Sequence, residues 1–239
     1  MSQNFELLSQ IETDYQRGNV VPNSTVVDRK PVQRVLPRNF SQELLGLAQT
    51  VFLSDAEDAP HNVMLCGVDK ENGSSQLCLQ LGQILAACSH HSVCLVDGNV
   101  HSWRLSGLVN ELRCFEEPSG DRGDCRQIAP NLWIADSDLS NPERTGVLAD
   151  AYQLKKRLAE FRQSFSIVLI DAPGVNVGGD ATALGQIAEA TILIIEANST
   201  RKAAAFKAKK ALETMNVRLL GTVLNERTFP IPERLYRKL

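Results

Sequence analysis

Two continuous apolar runs, Ser166–Ile170 and Ala190–Ile195, constrain this chain more than any other feature. A strand with one wet face alternates apolar and polar residues, whereas a run without alternation belongs to a strand covered on both faces. Val63–Val68 and Ser92–Val96 have the same character, and Leu219–Leu224 reads as a last strand. Helical spacing falls between them: Leu77, Leu79, Leu81, Ile84 and Leu85; a long segment from about Asn141 to Arg162, with Pro142 in its first turn and Leu148, Tyr152, Leu154, Leu158 and Phe161 as core candidates; Ala181–Ala188; and Ser199–Met215, with Thr200 near its cap. NLWIAD is one further strand, and FEEPSGDRGDCRQ, dense in Gly, Pro and charge, reads as a surface loop. Alternating strands and helices predict an α/β fold, a mostly parallel sheet with helices on both faces and ligands at the carboxyl ends of the strands.

The chain of 239 residues, 43% hydrophobic, suits one such domain with appendages. Residues 1–38, interrupted by Pro22, Pro31 and Pro37, are expected to form an extended arm, residues 39–226 the domain, and residues 227–239 a short tail. A helix from Ser41, with Ser41 as N-cap, opens the domain. The polar start and the lack of a long apolar run predict a cytoplasmic protein without a membrane span. Six Cys without paired spacing read as small buried hydrophobes, and CSHHSVC (88–94) reads as a helix end and a strand rather than a zinc site. The formal charge of −3 hides a division, because residues 201–239 carry 10 basic and 3 acidic side chains. These basic residues lack the interleaved aromatics of a stacking platform, so no nucleic-acid partner is expected.

The chemistry concentrates in the loop after the Val63–Val68 run. Gly73, Ser74 and Ser75 open a helix whose amino end favours an anion. In a working phosphate loop a Lys follows the last Gly, and the next Ser or Thr holds Mg²⁺. Here Ser74 stands at the Lys position and Ser75 at the Mg²⁺ position. Asp97 and Asp171 each end a strand and place carboxylates where a metal would sit. The missing lysine should weaken phosphate binding by several kcal/mol, of the order of a buried charge pair. Lys70 lies on the wrong side of the loop to replace it, and Asp69 and Glu71 add negative charge beside a polyanion.

In their order, these motifs resemble the bacterial tyrosine-kinase (BY-kinase) family. The resemblance covers about residues 40–225: the loop 66–75, CLVDGNV (94–100), PNLWIADSDLSNPERTGVL (130–148), IVLIDAPGV (167–175) and the closing strands 191–226. It implies a P-loop NTPase-like fold, ATP-dependent tyrosine autophosphorylation within a ring of subunits, and a place beside a membrane polysaccharide co-polymerase. The departures fall on the working parts. Ser74 replaces the lysine and Asn99 the second acid of an Asp-x-Asp pair. Glu43, Gly46 and Gln49 stand where a subunit-contact helix carries Glu-x-x-Arg-x-x-Arg, and Tyr236 is alone where acceptor tyrosines cluster. The resemblance therefore implies a degenerate, pseudokinase-like member. Its nucleotide site (Gly73, Ser74, Ser75, Asp97, Asp171) is vestigial, no cofactor is expected, and the chain is a monomer or small oligomer. Its partner is a membrane polysaccharide co-polymerase or a cognate active kinase, recruiting it to the inner face of the membrane in capsule or exopolysaccharide assembly. The alternative is an active but atypical autokinase or ATPase that uses ATP and Mg²⁺, with Lys70 or a partner supplying the charge. The related septum-positioning and partitioning ATPases need a signature Lys at the loop's start, where this chain has Asp69.

Overall fold

The computed structural model describes residues 42–53, 59–88, 91–99, 102, 104–111, 125–135 and 151–227, with the side chains of 151–154 excepted. The arm 1–38, Ser41, Leu148, Tyr236 and most of the 130–148 segment lie outside the described residues. So do the side chains of Tyr152 and Leu154.

Each element has a reason in its sequence. Helix α1 (Gln42–Phe52) buries Ala48 and Phe52. Strand β1 (Asn62–Gly67) is buried at every position, as its unalternating sequence requires. Helix α2 (Ser74–Cys88) follows the loop and is apolar over most of its surface, because it is sandwiched between the sheet and neighbouring helices. Strand β2 (Val93–Asp97) and helix α3 (Arg104–Glu111) come next, then β3 (Cys125–Ala129), β4 (Leu132–Ala135) and α4 (Ala151–Ser164). The chain closes with β5 (Ile167–Ala172), α5 (Asp180–Ile187), β6 (Ala190–Glu196), α6 (Lys202–Thr214) and β7 (Leu219–Asn225).

The seven strands form one sheet in the order β3-β4-β2-β5-β1-β6-β7. All neighbours are parallel except β3 and β4. Each face carries its own core. On one face, Leu65, Leu95, Leu169 and Ile192 pack against α1, α2 and α3; on the other, Met64, Val96, Ile170 and Leu193 pack against residues of α4, α5 and α6. This doubly covered, mostly parallel sheet is the architecture the apolar runs predicted.

Two expectations need correction. Cys125, Arg126 and Gln127, read as the end of a surface loop, begin β3. The burial of Cys125 and Ile128, and a turn at Asn131 with φ of 59°, fold this short strand back onto β4. Thr200 does not cap α6: Arg201 is the N-cap residue and makes no side-chain cap bond, while the Thr200 hydroxyl accepts the Glu196 N–H at 3.0 Å. The long helix is described only from Ala151, with Leu158 and Phe161 buried as expected. The five described cysteines are all free thiols, and no cluster of metal-ligating side chains exists among the described residues.

Candidate functional site

The carboxyl ends of β1, β2 and β5 converge on the loop 68–73. Asp97 and Asp171 are register partners on neighbouring strands, so two acids lie side by side at the sheet's edge. Both are buried, at 2% and 0% exposure, yet their circumstances differ. Asp97 Oδ2 accepts the Ser106 N–H at 2.9 Å and the Ser106 hydroxyl at 3.0 Å, and Oδ1 accepts the Asn99 N–H at 3.2 Å. Its charge satisfies the amino end of α3, a capping role exerted from the preceding strand. Burial raises its pKa, and these hydrogen bonds oppose the rise.

Asp171 has no such support. Neither oxygen finds a hydrogen bond of ordinary geometry among the described residues. Burial pushes its pKa up to about 7; the Ser75 and Ser74 hydroxyls oppose the rise, the Asp97 charge adds to it, and Arg104 opposes it. A buried carboxylate without a partner is costly, and it is what a cation would satisfy. Behind the pair, burial pushes the Cys66 thiol up to about 12, with Asp171 adding to the effect; Cys78 is raised in the same way. Neither thiol is a nucleophile.

The loop itself is braced from both flanks. Asn72, 4% exposed, turns inward: its Oδ1 accepts the Asp69 N–H at 2.6 Å, and its Nδ2 donates to Glu196 Oε2 and Thr200 Oγ1, both at 3.4 Å. A Cβ on Gly67 would meet Asn72 Oδ1 at 2.7 Å, so the glycine makes room for this side chain. Asn225, at the end of β7, donates to the Asn72 carbonyl at 3.1 Å and occupies the space beside Gly73, whose φ is +75°. On the other flank Val175 N–H donates to the Gly67 carbonyl at 2.9 Å, and Asn176 Nδ2 donates to Asp69 Oδ1 at 3.2 Å. One amide of the loop is thus spent internally. The first turn of α2 begins at Ser74, and the N–H groups of a helix's first turn have no intrahelical partner and favour an anion.

The lysine position remains Ser74, and Lys70 is exposed. Arg104, the first residue of α3, reaches the loop from outside it and pairs its guanidinium with Glu71. Glu71 sits at φ 66°, a left-handed conformation that is strained for a side-chain-bearing residue. Sequence reasoning passed over Arg104, Glu71's pairing, Asn72, Asn176 and Asn225. Arg104 had left one signal, a cation in the first turn of a helix, where the dipole disfavours it. On α1, Gly46 has open space where a Cβ would stand, so a larger residue is not excluded by packing at that position.

The set fits a Mg²⁺-bound phosphate in part: Asp171 and Ser75 would hold the ion, which would offset phosphate charge, and the α2 amides would take oxygens. Asp97 is already committed.

No family model matches the chain. The tyrosine-protein kinase CpsD of Streptococcus agalactiae is 24% identical over 168 residues, spanning 67% of this chain and 70% of that one. Among solved structures, the chimerical protein CapA2B2 superposes with a TM-score of 0.57 at 19% identity, covering 79% of this chain and 85% of that chain. The MinD cell division protein of Aquifex aeolicus superposes with a TM-score of 0.53 at 18% identity, over 74% and 72% of the two chains.

Proposed function

Because this chain belongs to the bacterial tyrosine-kinase family, we infer that it serves capsule or exopolysaccharide assembly as a non-catalytic binding or regulatory subunit. One observation carries the reading: Ser74 stands at the lysine position, and the Arg104 guanidinium that reaches the loop is paired with Glu71. Phosphoryl transfer depends on positive charge against the phosphate as bonds change, and neither a serine nor an arginine already paired provides it. Asp97 points the same way, since a carboxylate spent on a helix end is not available to a metal. The partner would be a membrane polysaccharide co-polymerase or an active kinase of the same family. No helix among the described residues is long and apolar enough to cross a membrane; the partner would recruit the chain to the membrane's inner face.

The competing reading, an active but atypical autokinase, draws on Asp171, whose unpartnered carboxylate would suit a metal. Turnover separates the two. Purified chain incubated with Mg²⁺–ATP should release no phosphate above background and leave Tyr236 unmodified; phosphotransfer to Tyr236 would overturn the non-catalytic reading. With Gly46 and Gln49 in place of arginines, light scattering should find a monomer or small oligomer. A ring-sized particle would remove the argument from that helix.

A further inference from the structure

The exposed apolar side chains of this molecule gather at one edge of the sheet. Five large ones stand out among the described residues, and four of them, Phe206, Met215, Leu220 and Leu224, belong to α6, the residue after it and β7. β6 pairs with one side of β7, and among the described residues no strand lies on the other. Edge strands are ordinarily kept from pairing by being short, by Lys or Pro, or by a cover. The opposite edge follows that rule, since β3 has five residues and carries Arg126. β7 has seven residues, LLGTVLN, with neither a charge nor a proline. Leu220 is 37% and Leu224 53% exposed, and Leu224 shares a face with its register partner Ile195, on the side that α6 covers.

We propose that two copies of this chain form a symmetric dimer by pairing their β7 edges, which joins the two sheets into one. The ends of the strand carry opposite charge: Arg218 precedes it and Glu226 follows it. Both are exposed, and no ion pair links either to another described residue. The register against β6 shifts between Leu219 and Gly221, so the regular stretch is Gly221–Asn225. An antiparallel ladder centred in that stretch, on Thr222, is self-complementary. It sets Leu220 of each copy opposite Leu224 of the other, Thr222 opposite Thr222, and Arg218 opposite Glu226 at both ends. An unrelated strand would find the apolar edge without the twofold arrangement of charges. A twofold contact also closes on itself: it uses the open edge of both copies, so assembly stops at two. The dimer is independent of the non-catalytic reading and draws nothing from the α1 positions Gly46 and Gln49.

The test is sedimentation equilibrium of the full chain across a concentration series, which should show a reversible transition between 26.3 kDa and twice that mass. Arg218→Glu and Glu226→Arg, each folded as judged by circular dichroism, should each dimerise about tenfold more weakly, because each sets like charges together at both ends of the ladder. The double variant should regain the parental affinity. An equimolar mixture of the two single variants should form a mixed dimer more tightly than either forms its own. Leu224→Lys, which sets a cation among the apolar contacts, should abolish the dimer. A parent that stays monomeric, its edge then open to residues 228–239 or to another protein's strand, would overturn the proposal. So would single reversals without effect, or a double variant as weak as the singles. ATP turnover by the parent chain would strike the non-catalytic reading alone.

Discussion

Raising the pH from 4 to 8 should cost this chain on the order of 4 kcal/mol of stability that its Asp171→Asn variant does not lose. The direction follows from which state holds the proton. The unfolded carboxyl titrates near 3.8, while burial holds the folded one at about 7. Between these values the native state keeps a proton that the unfolded state has released, so unfolding gains with every unit of pH. The stabilisation is complete below the unfolded pKa and is lost as the pH rises through the folded one. The variant's amide would not titrate, and its profile over that window should be flat apart from other groups. Urea denaturation of both proteins at pH 4, 6 and 8 measures the difference. Parallel profiles would mean that Asp171 reaches solvent or a partner in solution. Mg²⁺ added at pH 8 should recover part of the loss only if the ion binds there without nucleotide.

A single methyl group at Gly174 should be the next most damaging change. A Cβ there would fall on the carbonyl carbon and oxygen of Asp69, and would press on Val177 Cγ2 at 3.0 Å. Backbone cannot rotate aside as a side chain can, so Gly174→Ala must displace the loop or the 173–177 segment. Either movement strains the Val175–Gly67 and Asn176–Val68 hydrogen bonds, at 2.9 and 3.0 Å. The expected loss is about 2 kcal/mol, typical of overpacking. Gly178→Ala is the control, since nothing lies within 4 Å of a Cβ at Gly178, and it should change stability by less than about 0.5 kcal/mol. Equal denaturation midpoints for the two variants would show that the loop is slack and not braced.

What could be read in the sequence was whatever depends on neighbours along the chain. The runs at 166–170 and 190–195 announced doubly covered strands, and Asp97 and Asp171 announced their carboxyl ends. The departures at Ser74 and Asn99 were equally visible. What escaped depends on residues brought together only by the sheet. Asn72 is a polar residue in a polar loop until Glu196 and Thr200 arrive from 124 and 128 positions away. Thr200 looked like a cap because its spacing from α6 allows one; the loop claimed its hydroxyl instead. Asp97 and Asp171 read alike as strand-end acids, and only the approach of Ser106 separates a satisfied carboxylate from an orphaned one. β3 was missed because it is short and rich in polar residues, and pairing with β4 rather than periodicity defines it.

The strand order also governs when the site can exist. β1 lies between β5 and β6, so the segment Asn62–Gly67 must wait for Ile167–Ala172 and Ala190–Glu196 before either of its edges is paired. During synthesis the loop emerges early and is fixed late. A chain arrested before residue 167 would carry β1 with both edges bare and β2 with only its β4 edge paired, the kind of surface that aggregates or recruits chaperones. Asn225, which pins the loop from β7, is later still. The bracing of the phosphate-type loop is therefore completed only when nearly all of the described chain has been made.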